Sequence, residues 1–431
     1  MDSVIGDSTG VSIPAHPDAL RAAGADFLTQ AFRAFGSLSP DNAVARITAI
    51  EPCHAGNSGQ KLLLTVEYAR PDPTLHTDLF IKMSRDFADA FRDRRKYELE
   101  AEVRLAALSR LPAFPVHVAK PYFADFDHES GTGILITQQI AFGQDGIEPL
   151  RAKCMDRLLP NALEHYQATQ TALASLVGAQ HAGCLSPELE RLFPWDEATA
   201  LADLPIPWNE AQIGEKVAAI GALIASSPQL FPPAVTAPEF IARLERDAVA
   251  IIRHEAAVRR FLCSDPRFVA LTHWNTHIDN AWFWRDAAGV LQCGLLDWGM
   301  VRQMNFAYGI WGGLSGAEAA MLEDHLGDLL ALFARELAAR GGPSLPLDLL
   351  GLHFDLSVAM IGLAMMMDLP ALIAARLPEA ARASGPHDPL IEQDPVVRGF
   401  LHVSTNFLDT WARRDFGASL DRMLEIGGTA P

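Results

Sequence analysis

Asparagine and aspartate side chains are hard oxygen donors, and this chain sets several of them in one compact pattern. The stretch Leu271 to Trp284, LTHWNTHIDNAWFW, is polar at its centre and apolar at both ends. His273, Asn275, His277, Asp279 and Asn280 occupy the polar part, and Leu295, Leu296, Asp297, Trp298 and Gly299 follow after a short connection. The pattern predicts a tight loop, a strand from Ala281 to Arg285, a turn at Asp286 to Gly289 and a second strand that delivers Asp297 at its end. Alternation on either side of a turn containing Gly is a hairpin signal. A hairpin brings its ends together, so Asn280 and Asp297 are expected side by side. An amide oxygen beside a carboxylate suits Mg2+, which is held by a few protein oxygens together with substrate phosphates. A plainer reading is a polar turn and a hairpin ending in a structural Asp. A third groups His273, His277 and Asp279 as a two-histidine, one-carboxylate cluster, the donor set of a metal-dependent oxygenase or hydrolase.

The elements that must position these residues follow from the apolar spacing. Residues 1 to 15 read as a flexible tail. Pro17 to Phe35 has helical periodicity through Leu20, Ala23, Phe27, Ala31 and Phe35 and is expected to pack on the first lobe. Val44 to Ile50 and Leu62 to Tyr68 read as strands, joined by CHAGNSGQK. Gly56, Asn57, Ser58 and Gly59 in that turn can lay backbone N–H groups over phosphates, because glycine permits close approach and positive φ; an ordinary turn explains them equally. The spacing is not that of a Walker loop. Leu79 to Met83 forms a third strand with Lys82 embedded among apolar residues, where an ammonium needs a partner or must point outward. Phe87 to Arg110 reads as a charged helix with Glu98 and Glu102 on one face. Two more strands are expected around Val116 to Ala124 and Thr132 to Gln139, with Gln138 to Gly143 as a joint. Five strands and one inserted helix make a small α+β lobe. Beyond Gly146 the chain turns helical, and Ala270 to Asp297 is the β interruption.

A length of 431 residues suggests more than one compact unit. Lys and Arg number 35 against 53 Asp and Glu, a formal charge of −18, which argues against a nucleic-acid or anionic-membrane partner, since both need clustered cations. The five cysteines are scattered without a CxxC pair, so neither a disulfide framework nor a zinc knuckle is indicated. The apolar run Val358 to Met367 reads as a buried helix, too short to span a bilayer. With acids where a signal peptide needs a basic region, a cytoplasmic location is expected.

The order is glycine turn, embedded lysine, glutamate helix, joint, polar loop ending in Asn, and strand ending in Asp. That order resembles the protein-kinase-like phosphotransferases, and within them the aminoglycoside phosphotransferase and choline kinase group, particularly its ecdysteroid-kinase-like branch. THWNTHIDN lines up without gaps with that family's HGD-L-H-x-x-N loop, and GLLDWG with its strand ending in Asp-Trp. The resemblance runs from Asp18 to Ser315 and implies a two-lobed α+β fold. Residues 16 to 142 would be a five-stranded antiparallel nucleotide-binding lobe with one main helix, and 143 to 431 a mostly helical lobe with the catalytic loop, metal site and acceptor pocket. It implies that Gly56 to Gly59 cover ATP phosphates and that Lys82 contacts them and pairs with Glu102, or failing that with Glu98. Gln138, Gln139 and Ile140 would meet adenine, and Asn280 and Asp297 would hold Mg2+. The implied activity is ATP–Mg2+-dependent phosphorylation of a small-molecule hydroxyl, by analogy with that branch a lipophilic alcohol. One departure bears on catalysis. Asn275 stands where the family has its catalytic Asp, after Trp274 in place of a small Gly. Reading Asp279 as the base instead would put Trp284 in the metal position. Activity is therefore expected to be reduced, with His277 as a substitute base, or replaced by nucleotide binding without turnover.

Overall fold

The computed structural model describes residues 1–53, 59–89, 92, 95–299 and 301–428. The chain divides into two compact units. The first comprises Met1–Glu148, Gly183–Pro194 and Gly294–Arg302; the second comprises Pro149–Ala182, Trp195–Cys293 and Gln303–Pro431. The class is α+β as expected. A five-stranded antiparallel sheet lies in the first unit with two main helices, where one was expected, and the second unit is mostly helical.

The first unit begins with a correction. Residues 1 to 15, expected to be a flexible tail, form a hairpin of β1 (Ser3–Ile5) and β2 (Ser12–Pro14). Two features fix it. Val11 and Ile13 are buried in the core, and the buried Asp125 carboxylate accepts the Ser8 and Thr9 N–H groups at 3.0 and 2.9 Å. The helix α1 (Pro17–Phe35) has its expected limits. His16 caps its first turn, Pro17 sits where no N–H is needed, and Gly36 ends it in the left-handed region, as helix-end chemistry demands.

The sheet runs in the order β3 (Val44–Pro52), β4 (Gln60–Tyr68), β5 (Asp78–Met83), β8 (Thr132–Gln138) and β7 (Pro121–Asp127), all antiparallel. Leu62, Leu64 and Val66 of β4 and Leu79, Ile81 and Met83 of β5 enter one core with Leu20, Phe27, Leu28 and Phe32 of α1. Side chains alternate along a strand, so Lys61 and Lys82 turn to the other face. The long charged helix is shorter than its sequence suggests, α2 being Glu98–Leu108. Arg92 is buried, with its guanidinium donating to the Arg85 carbonyl and, at 2.9 Å, to Thr132 Oγ1.

In the second unit, α3 (Ala162–His181) packs against β9 (Val269–Thr272) and the helices Ala307–Leu314 and Ala319–Ala339. The helix Leu347–Met365 is long and apolar enough to cross a membrane and is mostly buried within the unit. The expected hairpin is present as β10 (Ala281–Arg285) and β11 (Leu291–Leu295), turned by Asp286 and Gly289 with Asp286 N–H on the Val290 carbonyl at 3.0 Å. The end of β11 runs parallel to β6 (His117–Val118), Gly294 opposite His117 and Leu295 opposite Val118. That pairing belongs to the first unit, and it carries Asp297 there.

Candidate active site

Three charged groups converge in the first unit. Lys82, on β5, is buried, and its ammonium donates to Glu102 of α2 and, at 2.7 Å, to Asp297 Oδ1. Each element supplies its residue for a local reason. Lys82 alternates with the core residues Ile81 and Met83. On α2, Leu99, Val103 and Ala106 face the core at helical spacing, which leaves Glu102 on the flank of that stripe. Asp297 lies just past β11 at φ 55°, a backbone region that Asp tolerates better than most residues but at some strain. The turn is held by the buried Trp298, whose indole N–H donates to the Leu295 carbonyl at 3.0 Å, and by Val301 N–H on the Trp298 carbonyl at 3.1 Å. Gly299 lies against α2, where an added Cβ would stand 3.3 Å from Glu102 Oε1.

Burial works against both members of the Lys82–Glu102 pair. For Lys82, the attraction of Glu102 and then Asp297 outweighs it and pushes the pKa up. For Glu102, burial outweighs the pull of Lys82, and Asp297 adds repulsion, so its pKa is raised. One ammonium thus serves two carboxylates, and the outer one, Asp297, is 43% exposed. Glu98, the other glutamate expected as a partner for Lys82, instead pairs with Arg95 at 3.0 Å and Arg85 at 3.5 Å.

The remaining expected nucleotide contacts divide. Gly56, Asn57 and Ser58 lie outside the described residues. Gly59 is at φ 62°, and an added Cβ there would collide with the Met83 carbonyl, so only glycine lets the turn lie this close to β5. Gln138 and Gln139 spend their N–H groups on the Lys120 and Asp78 carbonyls at 2.8 and 3.1 Å. Neither amide is therefore offered to a base, while Ile140 is buried just beyond. Sequence reasoning misses Lys61, which the register places directly opposite Lys82. Alternation along β4 gives the face on which Lys61 lies, but its register against β5 is set by the Gly59 contact with the Met83 carbonyl.

The polar loop lies in the second unit. Asn275 is half-buried; its N–H faces His273 Nδ1 at 3.3 Å, and its carbonyl accepts from Asn280 Nδ2 at 2.9 Å. That bond engages the Asn280 amide nitrogen. His277 is buried, with Nε2 3.3 Å from the Ser315 hydroxyl. Burial first, then Lys153, His402 and His273, hold its pKa well below the usual histidine value. A neutral, enclosed imidazole is a weak base, so the position suits a support for the loop better than the substitute base expected of it.

The two-histidine, one-carboxylate cluster is not formed. Among the described residues no three His, Cys, Asp or Glu side chains converge on a metal position, because His273 and His277 face a backbone N–H and a hydroxyl instead. The glycines of NFAYGIWGGLSG support the loop. An added Cβ would stand 3.3 Å from the His273 carbonyl at Gly309, 2.6 Å from Thr276 Oγ1 at Gly313 and 2.6 Å from His277 Nδ1 at Gly316. At Gly312 it would collide with the Trp274 carbonyl.

Donor chemistry is the test of fit for a nucleotide and its metal. A half-exposed carboxylate beside a buried ammonium suits a hard divalent cation and the phosphate oxygens it bridges. The Lys82–Asp297 pair fits the group. A cavity of about 190 Å3 also lies in the second unit, lined in part by Phe231, Glu318, His387, His402 and Thr405. Thr405 Oγ1 and Glu318 Oε1 are buried there and have no hydrogen-bond partner among the described residues.

No protein-family model and no curated protein matches the chain. Solved structures align with it along most of its length. A choline kinase from Cryptosporidium parvum Iowa II is 12% identical, with 88% of this chain and 91% of its own covered, at a TM-score of 0.41. Plasmodium vivax ethanolamine kinase is 13% identical, with 83% and 81% covered, also at 0.41. The GDP complex of an aminoglycoside 2'-phosphotransferase mutant is 14% identical, with 80% and 90% covered, at 0.36. The solved structures to which the chain is similar thus include small-molecule kinases and phosphotransferases, and the ecdysteroid-kinase-like branch is not among these three.

Proposed function

We propose that the protein is an ATP- and Mg2+-dependent phosphotransferase of protein-kinase-like fold that acts on a hydroxyl of a small molecule. The observation that carries the reading is the buried Lys82 shared between Glu102 and Asp297. Phosphoryl transfer asks for positioning and charge neutralisation more than for covalent chemistry, and a strand lysine fixed by a helix glutamate beside a metal-binding aspartate is one recurrent way to provide both. When bound, Mg2+ would neutralise charge on the phosphates. Lys82 keeps its charge because two carboxylates hold it, and Glu102 fixes its direction. Asp297 and Asn280 are the metal ligands of this reading, Gly56 to Gly59 the phosphate cover, and the segment from Gln138 to Ile140 the adenine contact, through backbone groups other than the engaged N–H groups of Gln138 and Gln139.

Asn275 takes the place of the base. Its amide oxygen accepts a hydrogen bond from the acceptor hydroxyl and orients it, but does not take up the proton at neutral pH. The hydroxyl loses its proton late in a loose transition state, so the reaction is slowed rather than forbidden. Asn275 also favours a second reading, nucleotide binding without turnover. A turnover assay with ATP and a panel of lipophilic and polar alcohols, with and without Mg2+, separates them. Slow Mg2+-dependent phosphorylation of at least one alcohol supports the first reading, and Mg2+-dependent ATP binding without any product supports the second. No ATP binding in any condition removes both.

A further inference from the structure

Lys61 and Lys82 stand directly opposite each other on antiparallel strands, where Cβ atoms are about 5 Å apart and like charges are destabilising. The register is pinned by Gly59, whose backbone lies on the Met83 carbonyl. The two lysines differ in their company. Lys82 is bonded to Glu102 and Asp297. The Lys61 ammonium is half-buried, and among the described residues it forms no hydrogen bond or ion pair. A partly desolvated ammonium facing a second ammonium is costly unless an anion completes it. We propose that Lys61 is a second phosphate-binding cation, beside Lys82, for the nucleotide.

The inference rests on the phosphotransferase reading and adds to it a residue for which that reading has no role. The surroundings support it. Burial, and then Lys82, lower the pKa of Lys61, while Asp297 and Glu102 pull the other way without overcoming them. A polyanion arriving at this face would relieve the repulsion between the lysines and supply what Lys61 lacks. Lys82, already engaged by two carboxylates, has less to offer a phosphate by itself.

The test is calorimetric binding of adenosine, ADP and ATP to the full chain, its Lys61→Met variant and its Lys61→Arg variant, with the ligand-free melting temperature of each. Lys61→Met should weaken ATP binding about 10- to 100-fold, the range for losing a hydrogen bond between charged groups. Adenosine affinity should stay within about two-fold, Lys61→Arg should bind ATP nearly as the parent does, and Lys61→Met should melt no lower than the parent because a like-charge pair is gone. Unchanged ATP affinity in Lys61→Met overturns the inference and leaves the phosphotransferase reading standing. An equal loss for adenosine and ATP, or a lowered melting temperature with Lys61→Arg equally impaired, overturns it in favour of a structural lysine. A parent protein that binds no ATP overturns both.

Discussion

The Lys82 ammonium and the Glu102 carboxylate are both buried, so neither can be removed without consequence for the other. Taking one partner from a buried ion pair costs about 3–5 kcal/mol when the remaining charge must stay. Glu102, whose pKa burial already raises, has a way out, because it can protonate. Lys82→Met should therefore destabilise the fold by about 2–3 kcal/mol at neutral pH. The loss should shrink as pH falls toward the ordinary glutamate value, since a raised carboxyl pKa makes the folded state the better proton binder there. Urea unfolding of Lys82→Met, Glu102→Gln and the double variant checks this, and the double variant should recover part of the loss. The Asn275 amide raises a separate question of chemistry. General-base help is worth about 10²–10⁴-fold, so Asn275→Asp should raise kcat on a suitable alcohol and leave ATP affinity unchanged. A parent enzyme as fast as Asn275→Asp would mean that another residue supplies the base. That Lys82 needs a carboxylate from the following helix was legible in the sequence, because a lysine on an apolar strand calls for one; Glu102 over Glu98 was only what the family resemblance implied. Lys61 was missed because strand register is set by the Gly59 contact with β5, which no periodicity shows.

Elements hold the polar loop through glycine. The helix Ala307–Leu314 presents Gly309, Gly312 and Gly313 to residues 273 to 276, and an added Cβ at Gly312 would collide with the Trp274 carbonyl. Backbone cannot give way as a flexible side chain can. Gly312→Ala should cost about 3 kcal/mol or more, at the upper end for overpacking, and should impair any activity that depends on Asn275. Gly327, in the helix Ala319–Ala339 with nothing within 4 Å of an added Cβ, is the control. Gly327→Ala should stabilise by about 0.5–1 kcal/mol through helix propensity and unfolded-state entropy. Thermal melting of the two variants should move in opposite directions. A stable Gly312→Ala variant would show that the loop is not held this way. The strands around this loop and α1 were readable from alternation, from 3.6-residue spacing and from capping residues. The hairpin at residues 1 to 15 was not, because Asp125 makes its decisive hydrogen bonds to residues distant in sequence.

For the molecule as a whole, acid–base linkage and nucleotide binding are the accessible observables. Asp156, in the second unit, is buried and accepts a hydrogen bond from Tyr166. Burial, opposed by Tyr166 and reinforced by Asp279 and Glu318, raises its pKa to about 7. The folded state then holds a proton that the unfolded state releases near pH 4, so this group contributes stability at acid pH that is lost as pH rises from about 4 to about 7, on the order of 2–4 kcal/mol. Asp156→Asn should flatten that part of the pH–stability curve, which urea midpoints across the range would show. In the other unit, Lys82 meets Glu102 and Asp297, and the proposal is that the three form a site for Mg–nucleotide. Isothermal titration of ATP into the parent protein and into Asp297→Ala, each with and without Mg2+, tests it most directly. The account predicts that Mg2+ strengthens ATP binding to the parent and has no effect on Asp297→Ala. Equal Mg2+ dependence in both proteins, or no ATP binding to the parent at all, would contradict it.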